Sequence, residues 1–235
     1  MKIAIRNLTK TYESQTVLDD ISLDIVGMGT IGIIGESGCG KSTLLRQLSG
    51  IEDADSGTIV INGVSPIKEK EKFQKGIGYV FQKHNLFPHL SLKENIALIL
   101  RKSKNMDKKS AELKALALLK KLHIENERDK KPSQVSGGQA QRCSIARALA
   151  TEPELIFLDE PTAALDPILT SEVLKAVTEL KKEGIKFIFV THEIAFLREF
   201  ADYFVFLKNG KICEHGEVSF LQNPRTEDLR EFLHI

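Results

Sequence analysis

Gly35-Glu36-Ser37-Gly38-Cys39-Gly40-Lys41-Ser42-Thr43 decides how this chain is read. The apolar run Ile31-Gly32-Ile33-Ile34 before it predicts a buried strand, and Leu44-Leu45-Arg46-Gln47-Leu48 after it predicts a helix. A glycine-rich loop between strand and helix, closed by Gly-Lys-Ser, is the setting in which G-x-x-x-x-G-K-[ST] cradles phosphate. Its glycines let successive N–H groups face one point, and the helix N-terminus adds partial positive charge there. Lys41 is expected to reach the β- and γ-phosphates of a triphosphate as a point charge, and the Ser42 hydroxyl to sit on Mg²⁺. The alternative is a glycine turn that binds nothing; Lys41-Ser42 and the flanking strand and helix speak against it.

The 235 residues exceed the usual size of one domain but suit one α/β unit with an inserted subdomain. With 33 basic and 32 acidic residues the formal net charge is +1, which argues against a dedicated nucleic-acid binder. Neither a membrane-spanning run nor a signal peptide is evident, so a cytosolic location is expected. Cys39, Cys143 and Cys213 are far apart, without the spacing of a zinc site or a disulfide framework, and read as small packing residues.

Outward from the phosphate loop, residues 2–26 alternate apolar with polar, predicting antiparallel strands with one wet face and Tyr12 in the loop between them. Residues 57–63 form a strand ending in an Asn-Gly turn signal, and Ile77-Gly78-Tyr79-Val80-Phe81 the next strand, with Gln82 directly after it. From about Ser91 to Ala150 the texture turns helical: Ala111, Ala115, Leu118, Leu119 and Leu122 share one face, suggesting an inserted helical subdomain. Lys102, Lys104, Lys108 and Lys109 are interspersed with acids and read as a solvated face. Then come a strand at Leu155-Ile156-Phe157-Leu158, a helix over 171–183 and a strand over Phe187–Thr191. A hairpin around Asn209-Gly210 follows. Alternating strands and helices predict an α/β fold with a mostly parallel sheet covered on both faces.

The phosphate loop, Gln82, Asp159-Glu160 and His192 each follow a buried apolar strand. Ligands of an open parallel sheet bind beyond the carboxyl ends of its strands, so all four are expected to converge on one nucleotide. Asp159 is the expected Mg²⁺ partner, direct or through the metal's surroundings. Glu160 is placed to take a proton from an attacking water, where a general base contributes typically about 10²–10⁴-fold. Its competing role is a helix-start acid before Pro161, worth at most about 1 kcal/mol. His192 alone reads as a core histidine; facing a γ-phosphate it would donate a hydrogen bond to developing charge.

Val135-Ser136-Gly137-Gly138-Gln139 opens the helical run 140–150 and fits neither a simple P-loop kinase nor a GTPase. Ser136 is a candidate N-cap, and the paired glycines permit close approach of an anion to a second helix N-terminus. Ordinary capping needs the serine but not the glycines. One chain already has a phosphate loop, so a second anion site suggests a composite site between two copies.

In order along nearly the whole chain, these motifs resemble the ATPase subunit of ATP-binding cassette transporters: Walker A at 35–43, the Q-loop at Gln82, the signature at 135–139, Walker B at 155–159, Glu160, a D-loop at Ala164-Leu165-Asp166, and the H-loop at His192. The resemblance implies a P-loop NTPase core of mostly parallel sheet, an N-terminal antiparallel β subdomain and a helical subdomain inserted at about 91–150, all in one domain spanning 1–235. It implies that Tyr12 stacks on adenine, that Val17 packs near the nucleotide, and that a homodimer closes on two ATP molecules. Ser136, Gly137, Gly138 and Gln139 of one copy would touch the γ-phosphate held by Lys41 of the other, with Asp166 carrying signals across the dimer. Gln82 would join Mg²⁺ or the water and couple closure to permease subunits docked near Phe81–Leu92 at the cytoplasmic face of the membrane. A solute-binding protein would act indirectly, and no nucleic-acid partner is implied.

The runs Val80–Leu90, Ala163–Pro167 and Thr191–Glu199 are similar to those of bacterial polar amino-acid importers. Val135 in place of the usual leucine, and Cys143 where an aliphatic residue is common, are apolar exchanges of small expected cost. Two other readings remain at this point: a soluble cassette ATPase of DNA repair or translation, and an assembly module that binds ATP without turnover. The chain lacks the coiled-coil insertion of the former's repair members and the second cassette of its translation members, and Glu160 with His192 speaks against the latter.

Overall fold

The computed structural model describes residues 1–163 and 165–234. They fold as two compact units, one of Met1–Lys75 with the residues from Lys186 onward, the other Gly76–Ile185.

In the first unit, β1 (Lys2–Tyr12) lies between β2 (Gln15–Val26) and β4 (Ser56–Ile61), antiparallel to both. Alternation does what period two requires: Ile3, Ile5, Leu8, Ile21, Leu23, Ile25, Ile59 and Ile61 are buried while the residues between them face outward. Tyr12 is not in the connecting loop. It closes β1 opposite Gln15, because the turn needs only two residues, with Glu13 in left-handed backbone at φ 54°. β3 (Thr30–Gly35) pairs in parallel with β7 (Lys186–Val190) on one side and β8 (Tyr203–Lys208) on the other; β9 (Lys211–Glu217) returns antiparallel to β8. The β8–β9 turn places Asn209 and Gly210 at φ 50° and 75°, the geometry that Asn-Gly tolerates and a two-residue hairpin needs.

α1 (Lys41–Leu48) follows β3, and α2 (Lys70–Gln74) closes the first segment of this unit. Behind β7, α7 (Ile194–Phe200) brings Phe196 and Phe200 against Phe187 and Phe189, with ring centroids 5.1–5.5 Å apart and largely edge-on. Gly32 is part of that packing, since a Cβ there would meet Leu197 Cδ1 at 2.2 Å.

Among the described residues, the second unit pairs β5 (Ile77–Val80) in parallel with β6 (Leu155–Asp159) and holds the α-helices α3 (Leu92–Ser103), α4 (Lys108–Lys121), α5 (Gly137–Leu149) and α6 (Pro167–Lys182). The apolar stripe read from α4 is buried at Ala111, Ala115, Leu119 and Leu122. α6 starts four residues ahead of the expected 171, because Asp166 caps it and Pro167 occupies its first turn, where a missing N–H costs nothing. It stops beside Gly184, at φ 94°, as expected. α8 (Glu227–Leu233) belongs to the first unit and follows β9.

Cys39 and Cys143 are buried and Cys213 half-buried, with no disulfide among the described residues. Burial pushes the Cys143 thiol up to about 12, so it packs as an inert apolar group. No helix among the described residues is long and apolar enough to cross a membrane.

Candidate functional site

Within the first unit, β3 delivers the chain into the glycine loop. At Gly35 a Cβ would sit 2.1 Å from the Leu207 carbonyl oxygen of β8. Gly40 takes φ 105°, and a Cβ there would press on Leu18 and the Val17 carbonyl at 2.8 Å. Both glycines are therefore required by close approach as well as by backbone conformation. Gly40 caps α1 without a side chain, and the first turn of α1 holds no acidic residue. The start of α1 thus carries no carboxylate that would repel an anion from the positive end of the helix. The Lys41 side chain is buried and curls over the loop, its Nζ donating to the Gly35 carbonyl at 2.9 Å and the Glu36 carbonyl at 2.7 Å.

Beside the loop lies a cleft of about 280 Å³, lined by Gln15–Val17, Glu36–Cys39 and the Asn209-Gly210 turn. That turn braces the loop: the Gly210 N–H donates to the Cys39 carbonyl at 3.2 Å, while the Gly210 carbonyl accepts from Asp19 N–H at 2.9 Å. Val17 lines the cleft and is half-buried. Tyr12 is outside the cleft lining and 39% exposed. Its hydroxyl donates to Glu52, and the Lys10 ammonium lies 5.4 Å above its ring. Partial burial, then the Glu52 carboxylate, raises the Tyr12 phenol above its ordinary value. His192 is exposed just past β7, and since β7 runs beside β3 it leaves the sheet at the same end as the glycine loop. The Thr191 N–H donates to the Ile33 carbonyl at 3.2 Å and fixes that exit.

Within the second unit, Val80 of β5 pairs with Leu158 of β6, so both strands release their next residues at one end. Gln82 and Glu160 meet there, Gln82 Nε2 donating to Glu160 Oε2 at 2.9 Å. Glu160 is in left-handed backbone at φ 46°, which costs a non-glycine residue about 1–2 kcal/mol. Strain of this kind persists where surrounding structure fixes it, here with the Glu160 carbonyl accepting from Ala163 N–H at 3.1 Å. Asp159 is buried at the strand end, with the Tyr79 hydroxyl donating to its Oδ2 at 3.3 Å.

Ser136 caps α5 as expected. Its Oγ accepts from Gln139 N–H at 3.2 Å and Gln139 Oε1 accepts from Ser136 N–H at 2.9 Å, a reciprocal box. The paired glycines have a packing reason too: a Cβ on Gly137 would lie 3.0 Å from Leu165, and one on Gly138 3.0 Å from Leu169. Asp166 spends its carboxylate on capping, Oδ1 accepting from Ile168 and Leu169 N–H at 2.9 Å. Ala164 of the same motif lies outside the described residues. Sequence reasoning passed over Tyr79, whose hydroxyl is too ordinary a feature of a strand to signal a role.

The family model for ABC transporter matches residues 18–163. Among curated proteins the chain is similar to the glutamate transport ATP-binding protein GluA of Corynebacterium glutamicum, 42% identical over 98% of this chain and 97% of that protein. It is also similar to the glutamine transport ATP-binding protein GlnQ of Escherichia coli, 40% identical over 98% of each, and to the arginine transport ATP-binding protein ArtP of Haemophilus influenzae, 37% identical over 99% of each. Among solved structures, the dimeric, post-hydrolysis form of the ATP-binding cassette MJ0796 bound to ADP and phosphate superposes with a TM-score of 0.82 at 32% identity, covering 92% of this chain and 98% of that one.

Proposed function

This chain belongs to the ABC transporter family, and from that premise we propose that it is the ATP-hydrolysing subunit energising import of a polar amino acid through permease subunits at the cytoplasmic face of the membrane. The observation that carries the proposal is the inequality of two glycine-led helix starts. α1 begins with no side-chain cap beneath a lysine-bearing loop, whereas α5 begins closed by its own box. One start is suited to hold a triphosphate; the other is suited to complete a site on a second copy. Relatives named for amino-acid transport, and a dimeric cassette among the structural neighbours, support this reading.

In this mechanism the N–H groups of Gly35, Glu36, Ser37, Gly38, Cys39, Gly40, Lys41, Ser42 and Thr43 bind the phosphates, and Lys41 exchanges its two loop carbonyls for β- and γ-oxygens. Tyr12 stacks on adenine once its ring is covered, with Val17 alongside. Glu160 takes a proton from the attacking water as the γ-phosphoryl group leaves ADP, with the Gln82 amide, which donates to its Oε2, orienting the carboxylate. His192 donates to the charge that develops on that group. Ser136, Gly137, Gly138 and Gln139 close over it from the second protomer, and Asp166 joins the two protomers through the α6 start it caps.

Ser42, Gln82 and Asp159 offer the oxygen donors that Mg²⁺ takes, and no cluster of three acidic, histidine or cysteine side chains among the described residues would hold a metal without help from phosphates. When bound, Mg²⁺ would neutralise charge on the β- and γ-phosphates.

Co-purification tests the assignment. The chain is expected to pull down integral membrane subunits, and recovery with ribosomes or DNA instead would favour the soluble cassette class.

A further inference from the structure

The segment after Gln82 is held from two sides. Asn95 of α3 is fully buried and reaches into it. Its Oδ1 accepts from Phe87 N–H at 2.7 Å, and its Nδ2 donates to the carbonyls of Ser91 at 2.9 Å and of Phe87 and Leu90 at 3.2 Å. A buried amide with both ends engaged is a stiff fixture, because releasing either end strands a polar group. From the other side α5 presents Gln141, Ser144 and Arg147, spaced by three and therefore along one helix face. Gln141 Oε1 lies 2.6 Å from His84 Nδ1, and Ser144 Oγ donates to the His84 carbonyl at 3.0 Å. The half-buried Arg147 divides its guanidinium between the carbonyls of His84 at 3.0 Å and Asn85 at 2.6 Å. Asn85 sits in left-handed backbone at φ 49°, a bend those bonds help to keep. Between the two anchors the chain displays Phe87, 39% exposed, with the His89 ring 6.1 Å away.

We infer that Arg147, assisted by Asn95, is a positioning residue that makes the exposed segment Phe87–Leu90 move as one piece with α5, so that a push on Phe87 displaces the helix start at Ser136-Gly137-Gly138. The inference rests on the function proposed above, with the permease docked on this segment as the family resemblance implies. Ten residues of helix separate Gly137 from Arg147, about 15 Å of rigid rod. A fork of two parallel donors transmits direction along such a rod, whereas a lysine ammonium in its place would hold one carbonyl and pivot. The guanidinium contacts backbone carbonyls only, so no residue identity in the segment matters to the link. Its failure leaves carbonyls that water can reach, and the fold survives.

The test compares wild type with Arg147→Lys and Arg147→Ala, in the full chain alone and in the complete transporter reconstituted in liposomes. In the isolated chain, amide exchange at Phe87 and Leu90 is expected to quicken about tenfold for the alanine variant, as the loss of a charge-assisted hydrogen bond implies, while basal ATP turnover stays within about twofold. In the transporter, the extra turnover evoked by amino acid and its binding protein is expected to fall about tenfold for alanine, with lysine between, in line with loss of the same bond. Unchanged exchange, or full stimulation despite quickened exchange, overturns the inference, as does a proportional fall of basal and stimulated rates. A wild-type transporter deaf to amino acid would count against the proposed function instead, and the exchange comparison would still decide the link.

Discussion

The N-termini of α1 and α5 are both reached through glycine-rich sequence, yet they treat their unpaired N–H groups in opposite ways. At α1 a glycine in left-handed backbone replaces the cap, and a buried lysine arches over the loop. At α5 a serine and a glutamine satisfy two donors reciprocally, and the glycines let the helix start press against Leu165 and Leu169. A helix start without a side-chain cap gains stability when an anion arrives at its positive end; one closed by a capping box is stable by itself. In the function proposed here, the first would serve a ligand that the protomer binds alone, and the second a finished surface brought to a ligand already held.

The sharpest way to break the comparison is to remove the chemistry that lies at neither helix start. Glu160→Gln keeps an oxygen for the Gln82 amide to meet, so ATP binding is expected to persist while turnover falls by about 10²–10⁴-fold, the worth of a general base. Steady-state ATPase assays beside equilibrium nucleotide binding read this directly, and turnover near wild type would remove Glu160 from the role. Next in size is Lys41→Ala, expected to weaken ATP binding by the isolated chain about 10–100-fold, as loss of a charged hydrogen-bond donor implies. Calorimetric titration measures it.

Ser136→Ala sharpens the contrast. Isolated-chain affinity should not move, while the ATP concentration for half-maximal turnover rises about fivefold, the equivalent of about 1 kcal/mol of lost cap. An equal loss in both measurements would make the two helix starts alike and dissolve the comparison. The smallest effect is expected from Tyr12→Ala, a two- to fivefold rise in nucleotide requirement, equivalent to about 0.5–1 kcal/mol and within the range of an aromatic contact. Fluorescent-nucleotide displacement is sensitive enough to see it.

Legibility in the sequence followed the range of the forces involved. Period-two alternation in β1 and β2 and the 3.6-residue stripe of α4 are local, and the structure has both where the pattern placed them. The glycine loop was readable because its flanks were. Boundaries were less so: a two-residue turn put Tyr12 on a strand, and Asp166 with Pro167 moved the start of α6 forward. Least visible were features made by residues distant in sequence. The left-handed Glu160, the Tyr79 hydroxyl on Asp159, and Asn95 and Arg147 gripping one segment from two helices leave no periodic or motif signal. The glycines before Gln139 were read for an anion, and only the structure adds that they also pack closely against Leu165 and Leu169.

The central claim is that α1 holds nucleotide and α5 of a second copy finishes the site, and the most direct measurement is specific ATPase activity of the isolated chain across a wide dilution series with its mass followed in parallel. The account predicts that activity per protomer rises with the square of concentration divided by total protein, collapsing as the dimer disappears. A constant specific activity in a preparation that is monomeric throughout would contradict it.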